Sequence, residues 1–471
     1  MQVPVGSSRV LDNGDWRMWP AGMIGPDDRM RFARYARFLE FANGQQWTER
    51  ARRGEQRLVF NYARSLVRKT ASYVFPEPVT FNVPAQSEDA DDQAAARAAE
   101  RWLNGFSASG GLARFDLSLA TEIAILGDGI NKITWDPEKG QPRVVAVDPA
   151  TVSIAHAPDN PRRLTRVTQV YGVYEHDVPV LFPHVPADGV LTGRDQMIPV
   201  AETWTSAEWE VVISGQAATR VANPYGWIPY VFAVNNARPH DFWGCSDLVD
   251  LEEVCREINR RLTIVSRVLE LSGAPIAVLE NVDGSEGINV GPGAKWELPE
   301  GARAYLLDLL QGGGTQLHIQ YIELLFRVLH DLSETPRTAF GDAGRDLSGA
   351  ALEVEIQPLV QKVGRQRRMW DAFFAQRNAM LLDLMERFGG ADFRNHRRTT
   401  TIWPPVLPSD RETAVQNTVA LVESGIQSRY SAISALGEAD PEAELARILQ
   451  DREAMTTADQ QDAVSTKEQE R

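Results

Sequence analysis

Seven histidines, His156, His176, His184, His240, His318, His330 and His396, are scattered along this 471-residue chain. A shared metal ion needs ligands on one face of one element, at helical spacings of three or four. His318 and His330 fall on one expected helix but stand twelve apart, too far to meet at one ion. Cys245 lies at the expected start of a helix, where a thiol can be activated. His240, in a neighbouring loop, is the one histidine near enough in sequence to serve as its base. Asp89, Asp91 and Asp92 could hold a divalent cation for a nuclease, yet acids are expected at a helix start in any case. Gly312-Gly-Gly314 precedes a helix and could receive an anion there. No phosphate-loop lysine accompanies it, so it reads as a flexible joint. There is no zinc-protease helix motif and no paired cysteine ligand set. The chain is therefore not expected to be an enzyme, and no cofactor or metal enters the reading.

The charged residues say more. The stretch 246–271 begins acidic, with Asp247, Asp250, Glu252, Glu253 and Glu257, and ends basic, with Arg256, Arg260, Arg261 and Arg267. That order complements a helix dipole. It also allows identical helices, side by side, to pair the acids of one (Asp250, Glu253, Glu257) with the bases of the next (Arg260, Arg261). Lys362, Arg365, Arg367 and Arg368 crowd two turns of a later helix and cannot share one stripe. Phosphate contact, intersubunit pairing and a solvated face all remain open for them. The loop 334–349 mixes Arg337 and Arg345 with Asp342 and Asp346, and Glu334 tips it acidic.

The elements that would carry these groups follow from periodicity. Apolar residues at Leu251, Val254, Ile258, Leu262, Val265 and Leu269 predict a helix over 246–271, stopped by Ser272-Gly-Ala-Pro275. Leu317, Tyr321, Leu324, Leu325, Val328 and Leu332 predict a second over 316–333. Between them lies a Gly-rich insert with expected strands at 275–279 and 294–298. Upstream, helices are expected at 26–43, 61–73, 87–103 and 113–126. Strands follow at 79–83, 130–135, 143–147, 165–174, 200–205, 208–213 and 218–221. Downstream, a long helix at 349–388 should be interrupted at Pro358 and near Gly364. A strand at 399–403 and small helices at 410–423, 429–436 and 441–453 complete the list, with a polar tail beyond Met455. The class is α+β.

Bulk properties set limits. A net charge of −15 argues against a simple DNA-binding domain with a basic face. Two cysteines, Cys245 and Cys255, ten apart on one expected helix, would be about 15 Å apart, too far to bridge. That fits a reducing compartment. No signal-peptide core and no membrane-length apolar run is present, so neither secretion by the usual route nor a membrane partner is expected.

Four runs in order carry a resemblance. They are Asn223-Pro-Tyr-Gly-Trp-Ile-Pro229; Gly244-Cys-Ser-Asp-Leu248 opening the helix–insert–helix; Phe340-Gly-Asp with Leu347-Ser-Gly-Ala-Ala-Leu352; and Trp403-Pro-Pro-Val-Leu-Pro-Ser-Asp410 with Ser424-Gly-Ile-Gln-Ser428. Together they resemble the portal (head–tail connector) proteins of tailed double-stranded DNA bacteriophages, over nearly the whole chain. The resemblance implies a wing at 1–245 and a two-helix stem at 246–271 and 316–333. It further implies a small α/β clip at 272–315, a tunnel loop at 334–349, and a long kinked helix with return strand at 350–408. A helical crown at 409–456 and a disordered tail at 457–471 would follow. Implied too are a homo-oligomeric ring, usually a dodecamer, at a capsid vertex in the virion, assembled in the host bacterial cytoplasm. Double-stranded DNA would pass its channel during packaging and ejection. The implied partners are the terminase large subunit, the major capsid or scaffolding protein, and head–tail adaptors. Arg337, Asp342, Arg345 and Asp346 would face the channel. A minor capsid or adaptor protein, or a metal-dependent nucleic-acid enzyme, are the alternatives.

Overall fold

The first helix, α1 (Pro26–Ala42), opens with a proline in its first turn, where no amide hydrogen is needed, and with Asp27 and Asp28 at its positive end. Asn61 caps α2 (Tyr62–Val74), its side chain accepting from the Arg64 amide. A three-residue strand, β1 (Thr80–Asn82), then leads to α3 (Ala90–Ser109) and α4 (Leu112–Leu126). The computed structural model describes residues 25–51, 53, 55–183, 191, 193–273, 277–281, 298, 300–306, 314–341, 349–407, 411–436 and 444–450. The tail beyond Met455 and the strand expected at 294–297 lie outside these.

Two antiparallel sheets follow. A three-stranded sheet has the order β3–β2–β9, built from β2 (Asp128–Asp136), β3 (Gln141–Val147) and β9 (Tyr230–Val234). The expected hairpin holds, with Ile130 opposite Val147 and Asp136 opposite Gln141. A five-stranded meander comprises β4 (Val152–Ala157), β5 (Asn160–Tyr174), β6 (Met197–Trp204), β7 (Glu208–Ile213) and β8 (Gln216–Ala222). A single helical turn, α5 (Val178–Leu181), interrupts the β5–β6 connection. Strand β4 was not anticipated; its burial does not alternate cleanly, so period two is hidden.

The chain then enters α6 (Glu252–Gly273), the hairpin of β10 (Ala277–Glu280) and β11 (Arg303–Leu306), and α7 (Gly314–Ser333). The helix expected from residue 246 starts at Glu252 instead. Ser246 Oγ accepts the Leu248 amide at 3.0 Å and donates to the Ala124 carbonyl, holding 246–251 as turns. Cys245 is thus off the helix that carries Cys255, correcting the shared-helix placement; both thiols are free. Of the insert, the described part is a hairpin whose second strand lies at Arg303–Leu306, beyond the expected 294–298; Leu298 is outside any strand.

Helix α8 (Gly349–Phe388) runs unbroken for 40 residues, with Pro358 inside it. The expected interruptions at Pro358 and Gly364 do not occur. Pro358 and Gly364 both lie on the exposed side, where water can serve the carbonyl that a proline leaves unbonded. Strand β12 (Thr400–Ile402) returns to pair with β1. One core joins α1, α2, α6 and α7 through Phe38, Phe41, Leu66, Val67, Ile258, Leu325 and Leu329. A second packs Phe32, Tyr35 and Leu126 on Val170, Ala201 and Val212 of the larger sheet. Residues up to Pro404 form one compact unit. From Pro405 a second unit holds α9 (Arg411–Glu423), α10 (Arg429–Ala435) and helical residues 444–450. Ser428 caps α10, accepting the Ser431 amide at 3.1 Å.

Candidate functional site

The helix pair α6–α7 carries two apolar stripes where one was expected. On α7 the buried residues are Ile322, Leu325 and Leu329, stepping by three and four. Of the expected stripe, Leu325 alone is buried. Leu317 is 69% exposed and Leu324 51%, and Tyr321 and Leu332 are exposed with them. These four centre on a second face, about 90° round the helix from the first at 100° per residue. Along α6 the stripe is buried at Ile258 but open at Leu269, toward the hairpin.

The charges of α6 pair within the chain. Arg256 meets Glu253 at 2.6 Å, and Glu257 meets Arg260 at 3.3 Å and Arg261 at 2.6 Å. Arg261 also lies over the Tyr321 ring, 5.2 Å from its centre, tying α6 to α7. Asp250 is exposed in the turn before α6 rather than on the helix. These are helical neighbours of modest worth, and the residues remain open to a second partner.

At the other end of α7 a latch forms that the sequence did not reveal. Lys362 donates to the Ser333 carbonyl at 3.0 Å and sits 3.5 Å from Asp247. Arg365 grips both oxygens of Glu334, a residue held at φ +54°. Arg367 donates to the Val74 and Pro404 carbonyls and stacks over Trp403, and burial lowers its pKa. Arg368 alone of the four is exposed with no ion pair among the described residues. Arg337 begins a 3-10 turn, Arg337–Phe340, and is exposed. Asp342, Arg345 and Asp346 lie outside the described residues. Asp247 and Glu334 read in the sequence only as acids of their own stretches, because their partners stand 115 and 31 positions away.

The remaining chemical candidates have basic or backbone partners. Asp89 and Asp91 pair with Arg394 at 3.4 and 3.0 Å. Asp92 accepts the Ser87 and Gln86 amides and meets His396, and these bonds lower its pKa. Among the described residues no cluster of metal-ligating side chains forms. Cys245 sits in a backbone bridge, its amide bonded to the Asn235 carbonyl at 2.8 Å. Burial pushes the Cys255 thiol up to about 12, away from reactivity. His330 Nδ1 contacts the Thr335 carbonyl, closing the end of α7.

The frame that holds the pair is anchored by close crossings. The Gly127 carbonyl accepts the Asn235 amide, and the Gly244 amide bonds Asp128 Oδ1 at 2.8 Å. A Cβ on Gly244 would fall 2.2 Å from the Gly127 carbonyl oxygen, so only glycine fits. Tyr35 donates to the same aspartate at 2.5 Å, locking α1 to this crossing.

A family model described as phage portal protein, SPP1 Gp6-like, matches residues 317–457, just under a third of the chain. The matched span runs from α7 through α8 into the second unit. The chain resembles phage portal proteins there. No curated protein matches the chain.

Proposed function

We propose that this chain is a phage portal protein. Copies close into a ring at one capsid vertex, and duplex DNA passes along the axis during packaging and ejection. In this reading residues 1–245 form the wing, α6 and α7 the stem, 272–315 the clip, and 334–349 the tunnel loop. Residues 350–408 supply the long helix and return strand, and 409–456 the crown. The terminase large subunit docks on the clip first and head–tail adaptors later, while capsid or scaffolding protein meets the wing. Assembly takes place in the host cytoplasm. The chain performs no catalysis; the motor's chemistry belongs to its partner.

The observation that carries this reading is the doubled stripe on α7. One apolar face packs into the chain's own core, and the other presents Leu317, Tyr321, Leu324 and Leu332 outward. A contiguous exposed apolar row of this kind marks an association surface. A ring repeats one heterologous contact until it closes. The charge of −15 per copy suits a channel through which phosphates slide without gripping. Among the described residues no helix is long and apolar enough to cross a membrane. Negative-stain imaging of the purified full-length protein tests the proposal. Closed rings with an axial hole wide enough for a duplex are expected. A strictly monomeric protein at every concentration, with no ring in the presence of capsid or scaffolding partners, would refute it.

A further inference from the structure

Strand β5 is 15 residues long, but its neighbour β6 pairs only with Val167–Tyr174. The first part, Asn160–Arg166, pairs on one side alone, with Ala155–Ala157 of β4. The β4–β5 hairpin therefore runs past the edge of the five-stranded sheet as a two-stranded ribbon. Its β4 side is only Ala155–Ala157, so at about 3.4 Å per residue the paired part extends roughly 10 Å, with the extra residues of β5 bulged out. Register shifts flank His156, and such bulges bend and twist a ribbon away from its sheet.

The charges of this ribbon are uneven. Arg162, Arg163 and Arg166 are all exposed, and none makes an ion pair among the described residues. One acid, Asp159, stands at the turn. None of the ribbon's residues is an exposed large hydrophobic side chain, so an apolar partner finds nothing to grip. Arg166 also lines a groove of about 410 Å³ on the adjoining sheet face, where Arg220 is already paired with Glu208 and Glu210 and Arg166 is not. In a chain of net charge −15, three unpaired guanidinium groups on a projecting ribbon form a local cationic arm. Among the described residues no ion pair of the fold uses them.

We infer that the β4–β5 ribbon is a second nucleic-acid contact, which binds the phosphates of duplex DNA through Arg162, Arg163 and Arg166. Duplex DNA is named as the polyanion on the strength of the function proposed above. A two-stranded ribbon has the cross-section that a major groove admits, and arginine matches phosphate oxygens with paired donors. Such contacts are independent of base sequence and weaken steeply with salt.

The test uses full-length protein and a fluorescent 30-base-pair duplex, with anisotropy followed from about 50 to 200 mM salt. Wild type is compared with R162A/R163A/R166A and with R97A/R101A/R114A, which removes three exposed arginines elsewhere. Three lost phosphate contacts should lower the log–log salt slope by about 2.7 and the low-salt affinity by at least tenfold. The control triple should retain the wild-type slope. Four results would overturn the assignment: no duplex binding by wild type at the lowest salt, an unchanged slope in the ribbon triple, an equal loss in the control, or loss of self-association in the ribbon triple without loss of DNA binding, which would make the ribbon a copy-to-copy contact. Imaging the same samples separates the two proposals. Rings with an unchanged slope reject the ribbon alone; absent rings with a reduced slope reject the portal reading alone.

Discussion

Glu202 is fully buried and gathers three donors. Lys132 reaches it at 2.7 Å, the Trp204 indole at 3.2 Å, and the Tyr171 hydroxyl closes the set. Lys132 comes from β2 and the others from β5 and β6, so the cluster ties the two sheets together. Losing one partner of a buried pair is worse the more groups it strands. Lys132→Met strands one acceptor that keeps two other donors and should cost about 3 kcal/mol. Glu202→Leu strands an ammonium and two further donors and should cost more, about 5 kcal/mol. Urea unfolding of both variants checks this, and the reverse order would refute it. Glu122 gives a pH counterpart. Burial, reinforced by Asp148, raises its pKa to about 7 from 4.5. A carboxyl with a raised folded pKa binds its proton more tightly when folded, so stability falls as pH rises from about 4.5 through 7. Glu122→Gln should therefore exceed wild type in Tm at pH 8, with the gap closing below about pH 5. Equal melting curves at both pH values would count against that. None of these groups was legible in the sequence, because each earns its role from residues tens of positions away. The same holds for Gly244, whose need for a bare Cα appears only where Gly127 crosses it.

At the scale of elements the sequence was clearer, and its errors have physical causes. Helices α1, α2 and α4 were legible to within a residue or two, because caps, a leading proline and glycine stops mark their ends. The start of α6 was not, since Leu248 and Leu251 keep helical spacing while Ser246 holds their backbone in turns. The continuity of α8 was missed because proline is costly only where its carbonyl partner is hidden, and Pro358 faces outward. The junction between α7 and α8 shows how elements couple. Lys362 is largely buried and serves both the last turn of α7 and Asp247 ahead of α6. The Arg365–Glu334 pair is nearly half exposed and so contributes under about 1 kcal/mol. Glu334 itself holds a left-handed backbone at a cost of about 1 kcal/mol, which glycine would not incur. Hydrogen exchange at the amides of Ser333–Thr335 should speed more than tenfold in Lys362→Met and by less than fivefold in Arg365→Ala. Glu334→Gly should melt no lower than wild type. Faster exchange in Arg365→Ala than in Lys362→Met would place the latch on the surface pair instead.

For the whole molecule, the two faces of α7 make separable demands. The buried face, Ile322, Leu325 and Leu329, belongs to the chain's own core. The open face spans 16 residues from Leu317 to Leu332, about 22 Å of helix. Apart from Tyr321, which Arg261 covers in part, its apolar side chains are exposed, and in the proposed ring their place is against another copy. Substitutions at exposed sites usually change stability by less than about 0.5 kcal/mol, whereas removing a buried leucine side chain costs about 2–5 kcal/mol. Leu324→Glu should therefore melt like wild type and yet fail to assemble, because association would bury an unpaired carboxylate. Leu325→Ala should melt several degrees lower, and it should assemble wherever it is still folded. Sedimentation velocity beside thermal melts on one preparation distinguishes the two outcomes. If Leu324→Glu forms the same oligomers as wild type, the open stripe is not the contact between copies. If instead it melts as early as Leu325→Ala, the stripe belongs to the fold, and the doubled-face account of α7 fails with it.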